Sequence, residues 1–270
     1  MKLSNIFSRK NRILLAELVR TDFKLRYQAS ALGYLWSILN PLFLFAILYV
    51  VFDKFLGLGR DIEHFPVYLL LGIVLWRFFT EATTNGLKAI VQRGSLIRKI
   101  SFPRYIIVLS GTISSLINLF INLGVVLVFV FINGVELTWS ALLIIPLIIE
   151  LYIFALAIAF FLSAVNVFFR DISYLWDIFI QGAFYATPII YPLSLVANQS
   201  QLAAQLLLLN PVAQVMQDVR YVFITRDTQT LWQLALAPWV IAVPFLIIIT
   251  MCIVAIIYFR RQSKRFAEYV

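Results

Sequence analysis

The chain has 270 residues, 62% of them hydrophobic and 13% charged, with a formal net charge of +9 and a mean hydropathy of +0.93. That composition belongs to an integral membrane protein and excludes a soluble or disordered one. A single cysteine, Cys252, inside an apolar run, excludes an internal disulfide, and a single histidine, His64, excludes histidine-cluster metal chemistry. The basic residues gather at the ends of apolar runs, so their excess reads as membrane orientation rather than nucleic-acid binding.

Residues 1–31 are polar and basic, with no separate apolar core of the kind a cleavable signal peptide carries. From Asn11 they read as an interface helix on the cytoplasmic side. Glu17, Arg20, Thr21, Lys24 and Gln28 form one stripe, and Leu15, Leu18, Val19 and Phe23 the other. Residues 32–270 read as an all-α transmembrane domain of six spans. The first, 32–52, is interrupted by Asn40-Pro41, where a kink is expected. The loop 53–63 carries three acids against two bases and is placed outside. The second span is 65–84, with Arg77 and Glu81 four apart on one face.

Between spans two and three lies a basic island, KAIVQRGSLIRKISFPR at 88–104, with five bases and no acid. Gly94-Ser95 breaks one helix and caps another, and Pro103 suits the first turn of the next span. The short helix puts Leu96, Ile97 and Ile100 on one side and Arg98 and Lys99 on the other. It serves either to fix topology or to dock into a groove on a cytosolic partner.

Spans three to five follow at 106–132, 139–164 and 174–192, and span six at 237–259, ahead of the basic tail RRQSKR. Both termini are then cytoplasmic. Asn118 and Asn122 share a face of span three. Glu150 and Asp177 are intramembrane carboxylates, which act as proton relays, as hydrogen-bond partners between helices, or as the lining of a wet cavity. Aromatic residues of span one (Tyr34, Trp36, Tyr49) and span five (Phe184, Tyr185) exceed what interfacial anchoring needs and suit stacking against sugar rings.

Residues 193–234 are too apolar for a plain external loop. They read as a re-entrant helical hairpin, its first helix at 202–209 and capped by Asn198. Asn210-Pro211 starts the second. Val212, Val215, Met216, Val219 and Phe223 share one face of that helix, while Gln214, Gln217, Asp218 and Arg220 are expected to stay wet or to meet a partner copy. Such a hairpin is either a packed lid or an external gate. No phosphate-binding loop, HExxH or GxSxG occurs, so no catalytic residue and no metal site is assigned.

Several stretches carry a resemblance. LVRTDFKLRYQASALGYLW (18–36) with LNPL (39–42), LIRKISFPR (96–104), NVFFRD (166–171), TPIIYPLS (187–194) and LNPV (209–212) occur in the order seen in ABC-2-type permeases that export O-antigen, capsule or teichoic acid. One departure is Arg77, where the family tends to carry a small polar residue after the tryptophan. The resemblance implies a non-enzymatic permease subunit in a bacterial inner membrane. It implies a homodimer joined to two cytosolic ATPase subunits that bind ATP and magnesium, with a polysaccharide linked through pyrophosphate to a polyprenyl lipid as substrate. On that reading residues 95–100 (Ser95, Leu96, Ile97, Arg98, Lys99, Ile100) couple to the ATPase. Arg20, Lys24 and Arg26 meet the lipid pyrophosphate. Tyr34, Trp36, Tyr49, Asp177, Phe184 and Tyr185 line the path, and Val215, Met216, Val219 and Phe223 gate the exit. The competing classes are an ion-coupled transporter or flippase, for which no inverted repeat or relay is visible, and a membrane transferase, which would need clustered carboxylates.

Overall fold

A computed structural model describes residues 8–27, 33, 35–59, 62–99 and 102–269, without the side chains of 25–27. Tyr34 and Ile100 and the side chains of Arg26 and Gln28 lie outside the described residues. Thirteen α-helices and no strand occur among those described. They are α1 (Arg9–Tyr27), α2 (Leu35–Tyr49), α3 (Phe65–Gln92), α4 (Gly94–Lys99), α5 (Tyr105–Ile132), α6 (Ile144–Phe168) and α7 (Ile172–Ala186). Then come α8 (Leu193–Gln199), α9 (Gln201–Leu208), α10 (Pro211–Phe223), α11 (Leu231–Leu234), α12 (Val243–Gln262) and α13 (Phe266–Tyr269).

Five helical stretches are long and apolar enough to cross a membrane: Leu35–Phe55, Phe65–Gln92, Tyr105–Ile132, Trp139–Phe168 and Pro238–Gln262. The chain is a multi-pass membrane protein. The sequence reading had six spans; its fifth is realised as α7, with 15 residues, about 22 Å of helix at 1.5 Å per residue. Span two is longer than its apolar run suggested, because α3 continues through the polar segment to Gln92. α2 runs through Pro41, where the kink was expected, as one continuous helix, and a π-helical turn follows at Val50–Phe55.

α3 is the axis of the bundle. It is the least apolar of the five candidate spans, yet 78% of its window is buried, against 17–33% in the other four. A helix enclosed by other helices meets little lipid, so its polar residues find partners, whereas α12 needs apolar residues on almost every face. Close approach to α6 depends on Gly86, since a Cβ there would sit 2.4 Å from the Ala159 Cβ. α5 adds a buried polar seam of Ser110, Ser114, Ser115, Asn118 and Asn122 along its contact with α3.

α7 stops at Ala186, and residues 187–191 run on without helix. Irregular backbone enclosed in a bundle needs its buried carbonyls satisfied from elsewhere. Thr187 Oγ1 donates to the Ala183 carbonyl at the end of α7 (2.8 Å). Two carbonyls of the irregular stretch are taken up by Arg220 on α10. Its Nη1 donates to the Pro188 carbonyl (2.6 Å) and its Nη2 to that of Ile189 (2.8 Å). Nε and Nη2 also donate to the Tyr68 carbonyl on α3 (3.3 and 3.1 Å). The guanidinium stacks 3.5 Å from the Tyr68 ring centroid, and the residue is fully buried. Room for it comes from Gly72, where a Cβ would lie 2.4 Å from Nη2. Burial lowers the Arg220 pKa to about 10, which leaves it charged at neutral pH. Arg220→Ala strands three buried carbonyls and is expected to cost about 3 kcal/mol or more. Arg220→Lys, lacking the planar fork, should recover little, and Gly72→Ala should act in the same direction. Thermal unfolding midpoints of detergent-purified variants check this; midpoints equal to the wild type's would refute it.

Candidate functional site

A cleft of about 950 Å³ opens between α2, α3, α5 and α7. Its α3 wall is one helical stripe, Ile73, Trp76, Arg77, Thr80, Glu81 and Thr84, spaced by three and four residues. α2 presents Trp36, Ser37 and Asn40 to it, and α7 presents Asp177, Gln181, Phe184 and Tyr185. Asn118 of α5 closes the back, where its Nδ2 donates to Glu81 Oε2 (2.8 Å). Asn122 in turn donates to the Asn118 carbonyl (2.8 Å), fixing the seam behind the wall. Trp76 meets Phe184 edge-on at 6.1 Å, and Phe184 meets Tyr185 at 5.3 Å, so the rings form a row rather than isolated anchors. The size falls within the 300–1,000 Å³ of ligand-binding clefts.

Of the six path residues named from the sequence, Trp36, Asp177, Phe184 and Tyr185 converge on this cleft. Tyr34 lies outside the described residues. Tyr49 is elsewhere: it stacks on Phe45 (5.6 Å) and Phe65 (6.3 Å) and receives Lys54 over its ring, so it is a packing residue. The sequence reading left the α3 stripe and Asn118 out of the path. Their signal was present as polar residues every three or four positions in a membrane helix.

The second hairpin helix departs from expectation. Asn210 caps α10 by accepting from the Val212 amide (3.0 Å), with Pro211 in its first turn, as its sequence predicts. Yet every residue from 211 to 220 is buried. Val215, Met216, Val219 and Phe223 pack in the main core, and α10 contacts α3, α6 and α12. The polar residues expected to stay wet or to meet a partner copy are enclosed as well. Gln214 donates to Asp218 (2.6 Å), and Tyr68 to Gln217 (3.4 Å). Burial pushes the Asp218 carboxyl up to about 6. Glu150 of α6 is half-buried, and its Oε1 is enclosed by the protein. The first hairpin helix is α9, within a residue of the expected 202–209 and preceded by the separate short helix α8, but its cap is Ser200, accepting from the Ala203 amide (3.2 Å), instead of Asn198. α10 is thus a structural core helix in this state and not a lid resting on the surface.

At the end of the bundle that carries α4, α1 lies against α5. Arg20 and Lys24 are exposed and border a groove of about 690 Å³ with Leu15, Val19 and Phe23. α1 is tied down by Asp22, which pairs with Arg93 at the α3–α4 break, while Arg93 Nη1 donates to Ser110 Oγ of α5 (2.7 Å). α4 begins at Gly94, where the sequence placed the break. Ile97 is only 7% exposed and sits in an apolar cluster of this chain, Leu96 is half-buried, and Ser95, Arg98 and Lys99 are exposed, so the apolar and basic residues separate as the sequence has them. The face turned toward solvent is therefore the polar one.

The model of the ABC-2 type transporter family matches residues 14–224. A permease protein of an O-antigen export system from Myxococcus xanthus is 31% identical over 213 residues, 78% of this chain and 80% of that protein. One of the same name from Klebsiella pneumoniae is 30% identical over 256 residues, 94% of each chain. The chain belongs to the ABC-2 type transporter family, as a membrane subunit rather than an enzyme.

The burial of α10 yields a direct test. A cysteine at Val215, with Cys252 replaced, should resist a membrane-impermeant thiol reagent, whereas one at exposed Leu202 should label. Prompt labelling at Val215 in resting protein would show that α10 leaves the core.

Proposed function

We propose that this chain is the permease subunit of an ATP-driven exporter that moves a lipid-linked cell-surface polysaccharide, of the O-antigen, capsule or teichoic acid type, across the bacterial cytoplasmic membrane. The observation that carries the reading is the 950 Å³ cleft, where rings of α2, α3 and α7 (Trp36, Trp76, Phe184, Tyr185) stand beside the polar residues of the α3 stripe. Rings offer faces to successive sugars without requiring one register, while Asn40, Asn118, Asp177 and Gln181 offer hydrogen bonds to hydroxyls. The relatives' names and the family support the same class.

Two further features support a dimer and a sixth crossing. α2 and α7 border the cleft with little cover of their own: α7 buries only Ile180, and α2 buries Ser37, Pro41 and Phe45. A second copy would cover those faces and close the conduit. α7 with residues 187–191 reaches about 37 Å, enough to cross a core of about 30 Å. The basic end, with α1, α4 and α13, then faces the cytoplasm together with both termini. Two ATPase subunits would supply ATP and magnesium there, since this sequence has no phosphate-binding loop. The polar face of α4 would contact them. Arg20, Lys24 and Arg26 would attract the pyrophosphate of the lipid carrier, next to the apolar groove beneath α1.

Expression with and without a cognate ATPase subunit tests the class. The two should co-purify, and polymer should reach the cell surface only when both are present. Export in the absence of any ATPase would favour an ion-coupled transporter. Within the cleft, Trp36→Ala combined with Tyr185→Ala should lower export severalfold at unchanged protein level, because both rings are largely exposed and contribute little to packing. Export falling only in step with protein level would mark them as packing residues.

A further inference from the structure

α4 has six residues, too few for a helix to hold its shape unaided. Its place is set by what lies behind it, and that is the C-terminal segment. Phe266 is 0% exposed and shares one apolar cluster with Ile97, and α13 packs on α4. Phe266 meets Phe259 of α12 edge-on at 5.4 Å, and Phe259 meets Phe160 of α6 in the same way at 5.0 Å. The segment is clamped on both sides. Arg104, just before α5, donates to the Ser263 carbonyl, and Arg170, in the α6–α7 turn, donates to that of Tyr269 (3.3 Å). The Tyr269 ring packs on Phe168 at 4.8 Å. A tail that served only as a basic orientation signal would need none of these contacts.

We infer that residues 263–269 form the seat of α4, with Phe266 as the positioning residue that ties α4 through Phe259 and Phe160 to α12 and α6. The inference rests on the reading of this chain as an ATPase-coupled permease. α3 and α5 receive any displacement of α4 directly through the chain, since α4 lies between them in sequence. α6 and α12 have no such link, and the aromatic stack provides one. The stack adds a direct route from α4 to α6 and α12, beside the indirect one through the α3–α6 contact at Gly86 and Ala159.

The test is polymer exported per ATP hydrolysed, measured on the full permease–ATPase complex in vesicles. Phe266→Ala should leave ATPase association and hydrolysis in place and lower export per ATP by about 2- to 30-fold, the span of reported coupling perturbations. Phe266→Leu, which keeps an apolar side chain in the seat, should recover most of it. Ile97→Ala should act similarly, and the double variant should be no worse than either single one, because both remove the same contact. If Phe266→Ala accumulates poorly, Tyr269→Ala, which loosens the segment only from the Phe168 side, should still lower the ratio. A wild-type ratio in both Phe266→Ala and Tyr269→Ala, or additive losses in the double variant, would overturn the seat while leaving the transporter reading intact. Failure of the wild-type chain to associate with any ATPase would instead remove that reading.

Discussion

The fold turns on one buried guanidinium. α7 stops at Ala186, and the buried carbonyls of Pro188 and Ile189 in the irregular stretch after it need donors from elsewhere in the fold. Arg220 gives them while also holding the Tyr68 carbonyl of α3, so a single side chain joins α3, α10 and the break after α7. Its charge has no carboxylate partner among the bonds described. It is stabilised by carbonyl dipoles, by Gln217 and by the face of Tyr68. Gly72 is the complementary requirement, since any larger residue would occupy the guanidinium's place.

That arrangement explains why the most polar candidate span is also the most enclosed. In lipid there is no hydrophobic drive between helices, so association depends on close packing and on hydrogen bonds. α3 supplies both. Gly86 and Gly72 admit neighbours closely, and Tyr68 bonds to α10, Thr83 to α7, and Glu81 and Asn85 to α5. The same helix therefore carries the cleft wall and the structural core on opposite faces, and the cleft inherits the rigidity of the core behind it. α2 and α7, the other two walls, are the least covered helices of the bundle. The cleft thus pairs one fixed wall with two that depend on what packs against them.

At the basic end, three short-range ties link elements far apart in sequence. Asp22 to Arg93 fixes α1 to the α3–α4 break, Arg104 fixes the start of α5 to the tail, and Arg170 fixes the α6–α7 turn to Tyr269. The bases that mark membrane orientation in the sequence thus also act as struts in the structure.

The sequence by itself determined the membrane class, the family, the existence of nearly every helix and several of its ends. Asn210-Pro211 starts α10 and Gly94 starts α4 because caps and breakers act locally, within a turn of the residues that carry them. Rotation about each helix axis was decided only by the tertiary structure. In a chain this apolar, a stripe of Val, Leu and Ile does not say whether it faces lipid, a neighbouring helix or a partner, since all three are equally dry. So Ile97 turned toward this chain's own core, Tyr49 packed on Phe45 and Phe65 away from the cleft, and the polar residues of α10 were buried instead of wet. Arg220 shows the limit most clearly: its sequence context marks it as a charge on an amphipathic helix. Its three carbonyl acceptors lie 31 to 152 residues away in the chain, and only the fold brings them within reach.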